Sequence, residues 1–168
     1  MPDKHLGHPS PTGHWADGTL APHPEAARAD TTVWFALPSD DDQQLWEGLA
    51  AESRVDGSFV IRAVPLFAYD LNFGDRVSAV PSAEGPLVAT EVLEDGRRFT
   101  FRVALHVGGA SVPEVVESFG SMGCLIEGWS ASLVGLSCEE THAQAVADRL
   151  AADEEQGRLA YETGRQAS

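Results

Sequence analysis

The chain has 168 residues, 43% of them hydrophobic, enough to build a core in one domain or two very small ones. Its net charge is −15, from 26 acidic residues against 11 basic ones, and its only adjacent basic pair is Arg97-Arg98. It therefore lacks the positive surface that releases phosphate counterions, which excludes a nucleic-acid binder and argues against docking on anionic membranes. No apolar run approaches the roughly 20 residues of a membrane span, and residues 1–24 show no hydrophobic stretch of the signal-peptide kind. The expectation is a cytoplasmic protein without membrane contact. An acidic surface of this kind suits solubility and a basic partner. Cys124 and Cys138 are too few for a disulfide scaffold or a zinc site, and both are expected reduced and buried.

Residues 1–31 are rich in Pro, Gly, His and Ala without periodicity, and read as a disordered tail. The tail carries His5, His8, His14, His23 and Trp15. The histidine spacings fit no structural metal site, so neither metal nor cofactor is expected, and Trp15 stands as an incidental aromatic or an exposed docking contact.

Order is expected from Thr32. Val33–Leu37, bounded by Pro38, predicts a buried strand, and Ser39–Gln43 an acidic loop. Leu45, Trp46 and Leu49 suit either a helix face or a strand. Asp56-Gly57 predicts a turn and Ser58–Ala63 a strand. Pro65 ends it, lacking a ladder N–H, and Leu66, Phe67, Leu71 and Phe73 are expected to plug the end of a small core. Gly74-Asp75 turns into a strand over Arg76–Val80, with Asp75 capping the turn. Leu87–Leu93 is a further strand closed by Glu94-Asp95-Gly96. Short strands at this spacing predict a small β-barrel-like half over residues 32–97.

The rhythm then changes. Arg98–His106 predicts a strand with Phe101, Val103 and Leu105 on one face. Ser111-Val112-Pro113-Glu114 has capping-box form, followed by the helical stripe Val112, Val115, Val116, Phe119. Cys124–Trp129 and Leu133–Cys138 predict a hairpin around Ser130-Ala131-Ser132, setting Cys124 against Cys138 and Ile126 against Leu136. Thr141–Gln144 repeats the capping form before a stripe of Ala143, Val146, Ala147, Leu150 and Ala151. Gly157 ends it, and Leu159 with Tyr161 marks a last strand. The order β-α-β-β-α-β over residues 98–163 predicts a ferredoxin-like half, with residues 164–168 as a flexible end. The class is α+β. A sheet with helices on one face leaves the other open, and Arg102, Ala104, His106, Leu125, Glu127 and Trp129 are expected there, to be covered by the N-terminal strands, a second copy or a ligand.

Four groups of residues carry a resemblance. Val33-Trp34-Phe35 and Leu45-Trp46-Glu47 open it. Val64-Pro65-Leu66-Phe67-Ala68-Tyr69 with Gly74-Asp75-Arg76-Val77 forms its most specific element. Gly123-Cys124, Glu127-Gly128, Gly157-Arg158 and Tyr161-Glu162 complete it. Over about Thr32 to Glu162 the chain resembles bacterial proteins carrying the domain of unknown function DUF4265. The resemblance implies a shared fold and brings no activity or catalytic residues with it.

Candidate chemistry is sparse. Gly108-Gly109-Ala110-Ser111 precedes a helix but lacks the Walker lysine and dinucleotide spacing. Cys124 is a conceivable nucleophile with His106 or His142 as base, although strand alternation turns it inward, where thiols are inert. His106, Arg102 and Glu127 on one sheet face could bind an acid or perform acid–base work, and the same set equally makes a solvated polar face. Tyr69 either closes the core or lines a pocket. Trp34, Trp46 and Trp129 are core side chains or interface anchors. The leading expectation is a non-catalytic binding or accessory protein for a protein or peptide partner, immunity-like or pathway-accessory, with Arg102, His106, Glu127, Trp129 and Tyr69 as contacts and a homodimer through the open face conceivable. The alternative is a small enzyme or small-molecule-binding protein using His106, Arg102, Glu127 and Tyr69 in a pocket between the halves.

Overall fold

The computed structural model describes residues 3–39 and 42–165. Met1, Pro2, the heart of the expected acidic loop (Asp40, Asp41) and the last three residues of the expected flexible end lie outside the described residues. Within them the fold is α+β: two helices and a majority of strands.

The first correction concerns the N-terminus, which is not a disordered tail. It forms β1 (Lys4–Gly7), β2 (Gly13–Ala16), β3 (Thr19–Pro22) and a 3-10 turn at Ala26–Arg28. These strands are four residues long and show no alternation, and two of them take their partners from far along the chain, so no local signal announces them. Trp15 is accordingly no incidental aromatic: it packs on the main core, and its Cβ sits so close to Gly120 that a methyl there would approach it to 2.6 Å.

β4 (Thr31–Leu37), β5 (Leu45–Ser53), β6 (Phe59–Ile61), β7 (Arg76–Pro81) and β8 (Leu87–Glu94) follow. They pair in the order β5-β4-β8-β7-β6, and β6 returns to β5, which closes a five-stranded barrel. The ambiguous Leu45–Ala51 stretch is strand, since Leu45, Glu47, Leu49 and Ala51 alternate onto the buried face. Trp34 lies across from Gly48 in the β4–β5 ladder, and its ring occupies the space a Cβ would need, 2.7 Å away. Val33, Leu37, Leu49, Ala51, Ile61 and Val77 fill the barrel, with Ala68 and Leu71 entering from the β6–β7 connection. Phe67 and Leu71 plug the barrel as expected. Phe73 turns the other way, onto Leu125 of the second sheet. Asp75 staples two turns, accepting the Asn72 N–H at 2.9 Å and the Gly96 N–H at 2.8 Å.

β4 pairs with β5 along Leu45–Ala51, so β1 and β6 must share the opposite edge of β5. β6 covers only Ala51–Ser53. β1 covers Leu45–Gly48, in parallel.

The second sheet contains β9 (Arg98–Ala104), β10 (Leu125–Ser130), β11 (Leu133–Glu139) and β12 (Ala160–Thr163), with α1 (Val112–Gly120) and α2 (Ala143–Glu155) between them in sequence. Its order is β12-β9-β11-β10-β2-β3 and every pairing is antiparallel. Ile126 stands opposite Leu136, as alternation requires. Phe101, Val103, Ile126, Val134 and Leu136 meet Val115, Phe119, Val146 and Leu150 of the helices. Ser111 Oγ caps α1 by accepting the Glu114 N–H at 3.3 Å. Glu114 does not reach back, because its carboxylate takes Arg158 at 2.8 Å instead. The Thr141 cap is also absent: Glu140–His142 is a 3-10 turn leading into α2 without a side-chain cap. Among the described residues no helix is long and apolar enough to cross a membrane.

The face away from the helices is not open. The β6–β7 connection lies on it. A Cβ at Gly135 would stand 2.7 Å from Leu66 Cδ2 and 3.1 Å from Val64 Cγ1, so the missing side chain of β11 is what lets the barrel's connection seat on the second sheet. Leu66 and Val64 are fully buried there and cannot yield. Gly135→Val is therefore expected to destabilise the protein by about 1–3 kcal/mol through overpacking, read as a lower urea midpoint with unchanged slope.

Candidate functional site

Residues 64–69 run along the seam between barrel and second sheet, and their main chain organises it. Pro65 has no N–H, which splits the donors into two sets. The Val64 N–H donates to Glu127 Oε1 at 2.8 Å. The N–H groups of Leu66, Phe67 and Ala68 all donate to Glu47, at 2.7, 3.1 and 2.8 Å. Glu47 belongs to β5 and Glu127 to β10, and they are 0% and 1% exposed. Two buried carboxylates, one from each sheet, thus face one another across this segment.

Buried charges of one sign require a counter-charge. His8, just after β1, supplies it. Its Nε2 donates to Glu47 Oε2 at 2.7 Å and its Nδ1 to Glu127 Oε2, with the imidazole side chain 7% exposed. Thr12 Oγ1 adds a 2.5 Å bond to Glu127 Oε1. Burial pulls the His8 pKa down, but the hydrogen bonds and charges of Glu127 and Glu47 outweigh it and lift it from 6.5 to about 9. Burial raises the Glu47 carboxyl, yet the His8 bond, the Leu66 and Ala68 N–H groups and the imidazolium charge hold it below its ordinary value. An imidazolium with both N–H groups engaged is a poor general base, and each oxygen of both carboxylates already accepts at least one bond. Trp129 stands edge-on to His8 at 5.9 Å and to Phe67 at 5.0 Å. A cleft of about 360 Å³ opens beside this cluster, lined by His8, Thr12, Trp34, Gly48, Arg62 and Glu127 among others.

On the other side of the segment stands Arg102, 3% exposed. Its Nη2 donates to the Ala68 carbonyl and its Nη1 to Glu162 at 3.3 Å, while its guanidinium lies 4.8 Å over the Tyr69 ring. Tyr69 OH donates to Glu162 at 3.4 Å. Among the described residues Arg102 Nε has no hydrogen-bond partner. Arg102 lines a cleft of about 340 Å³ together with Leu66, Phe67, Ala104, Leu133 and Tyr161.

The expected residues therefore divide. Arg102 and Tyr69 meet, and Glu127 and Trp129 meet through His8. His106 joins neither pair: β9 stops at Ala104, and the exposed His106 ring bonds the carbonyls of Val107 at 3.1 Å and Gly157 at 3.0 Å. Glu127 is buried rather than displayed. Cys124 is a free, buried thiol whose pKa is pushed up by its hydrogen bond with Cys138 and by burial, and His142 sits exposed in the 3-10 turn. Among the described residues, no three His, Cys, Asp or Glu side chains stand where one metal ion could take them all. The two residues that sequence reasoning missed are Glu47 and His8. Glu47 could have been found, because the Leu45-Glu47-Leu49-Ala51 alternation points it inward. No sequence signal marks His8.

Residues 47–161 match the family model described as Domain of unknown function (DUF4265), more than half of the chain. The chain belongs to this DUF4265 family. The matched span contains Glu47, Glu127 and the 64–69 element, and leaves His8 outside. No curated protein matches the chain. The structure is similar to the crystal structure of a hypothetical protein from Neisseria gonorrhoeae, with a TM-score of 0.70 over 82% of this chain and 96% of that one, at 15% identity. Likeness at that identity speaks for the fold alone.

The ion pairs give this DUF4265 protein a defined pH response. His8 is raised in the folded state, so its contribution is complete below about pH 6.5 and is lost as pH rises through about 9. A shift of that size is worth about 3 kcal/mol. Glu47 is depressed, so its contribution is present above its ordinary pKa of 4.5 and is lost as pH falls through its lower folded value. Urea unfolding between pH 6 and 10 should show that decline in the wild type and a flatter profile in His8→Gln. Glu47→Ala should cost about 3–5 kcal/mol, since it strips the acceptor from three buried N–H groups and one partner from the buried imidazolium.

Proposed function

We propose that this DUF4265 protein is a non-catalytic binding or accessory protein whose ligand is a segment of a protein or peptide partner, docked in the cleft over Arg102. The observation that carries this reading is the composition of that cleft. Its apolar walls are Leu66, Phe67, Ala104, Leu133 and Tyr161, and its polar part is the Arg102–Glu162 ion pair, in which Arg102 Nε stays without a partner among the described residues. Apolar walls around a few oriented polar groups suit an anchoring side chain with a hydrogen-bonding end. The acidic surface favours a partner basic elsewhere, as in an immunity-like role, and the place of action would be the cytoplasm. The reading of the second half as ferredoxin-like is supported by the order β12-β9-β11-β10, the antiparallel pairings and a helix in each crossover. The enzyme reading has weaker support, because its set needs His106 to converge with Glu127 and their hydrogen bonds run to different places.

Ala104 is exposed and lines the cleft, so Ala104→Arg obstructs it without touching the core. In parallel affinity captures from the native host with full-length protein, a partner retained by the wild type should be lost by about tenfold or more on Ala104→Arg, equivalent to about 1.4 kcal/mol, with thermal stability unchanged. Equal retention by both proteins, or loss of a host activity on His106→Ala at unchanged stability, would sink the binding reading.

A further inference from the structure

We propose that Glu47, Glu127 and the Leu45–Gly48 edge of β5 form a binding site for an extended peptide segment carrying a cationic side chain, and that residues Lys4–Thr12 are its occupant in cis. This surface is separate from the cleft over Arg102, so either assignment can fail alone.

Three observations carry it. First, the strand that closes the barrel is short: β6 covers only Ala51–Ser53 of β5, and β1 takes Leu45–Gly48 of the same edge by parallel addition, the manner in which peptides add to open sheet edges. Second, the carboxylate pair is organised without the segment. Four N–H groups, those of Val64, Leu66, Phe67 and Ala68, hold Glu47 and Glu127. The two carboxylates and the N–H groups that hold them therefore lie in the family-matched span, whereas the cation comes from outside it. A preorganised pair of buried carboxylates left empty is costly, so it demands a cation from some source. Third, the occupant's buried polar contacts are concentrated at its end. Lys4, His5 and Gly7 of β1 are exposed and Leu6 is partly buried against the barrel core, with the His5 ring on Trp34 and Trp46, whereas His8 and Thr12 are the anchors that enter the carboxylate site. Such buried anchors on a mostly exposed strand are how peptide ligands are held. The net charge of −15 draws basic segments toward the site.

The test uses full-length protein in three arms. Thermal unfolding of His8→Ala is followed with imidazole, methylguanidinium and a neutral ring of similar size. The two cations should raise the melting temperature saturably, the neutral compound should not, and His8→Ala/Glu127→Gln should respond to none. A labelled synthetic peptide spanning residues 3–12 is then added to His8→Ala, and should bind about tenfold or more tighter than the same peptide with His8→Ala. Should His8→Ala not fold, His8→Lys and His8→Gln decide between charge and shape: the proposal expects His8→Lys to stay close to wild-type stability while His8→Gln falls, and it expects slow uptake of the labelled peptide by His8→Lys. Cation rescue that ignores Glu127, peptide binding indifferent to the cation, no uptake of peptide by any variant, or His8→Lys no better than His8→Gln would each overturn it, leaving the segment a permanent part of the fold.

Discussion

A short run of backbone N–H groups meeting two buried carboxylates is the constraint on which the molecule depends. Residues 64–68 leave the barrel, cross the face of the second sheet and hand their donors to Glu47 of β5 and Glu127 of β10. A connection crossing a buried face must satisfy its peptide groups or lose several kcal/mol. Here both carboxylates satisfy them at once, and each carboxylate is anchored in a different sheet. The relative position of the two halves is thus fixed by charged acceptors rather than by apolar contact alone. Leu66 and Val64 against Gly135 then add the packing that such a crossing permits.

The same segment is two-faced. Its N–H groups serve the carboxylate side, while the Ala68 carbonyl and the Tyr69 ring serve the other, where Arg102 awaits them. Bends at Leu66 and Phe67 turn three successive N–H groups onto one carboxylate and leave the Ala68 carbonyl for the guanidinium. The carboxylates thus pair with His8 on one side and Arg102 with Glu162 on the other.

Much of this architecture could be read from the residues. An apolar run located β4, turn signals bounded β6, β7 and β8, alternation marked β9, the i, i+3, i+4 stripes located both helices, and the Ile126–Leu136 register of β10 and β11 followed from centring a hairpin on Ala131. What could not be read shares a physical cause. β1 and β2 pair with strands 40 or more positions away, as Lys4 with Leu45 and Gly13 with Ile126, and four-residue strands carry too little periodicity to announce themselves. Glu114 satisfied the cap pattern but found Arg158, a partner 44 residues distant, nearer to hand. The Val64–Tyr69 element was recognisable as a signature, yet its role lies in main-chain donors that every residue but proline possesses. Side-chain identity could show that the segment was special and could not show why.

The bond from His8 to Glu127 spans 119 residues of sequence. Residues 4–8 precede in the chain both surfaces that receive them, the free edge of β5 and the carboxylate of β10. Loop closure over the longer of those distances costs more than local pairing, so the seat of His8 depends on two sheets that local hairpins can build without it.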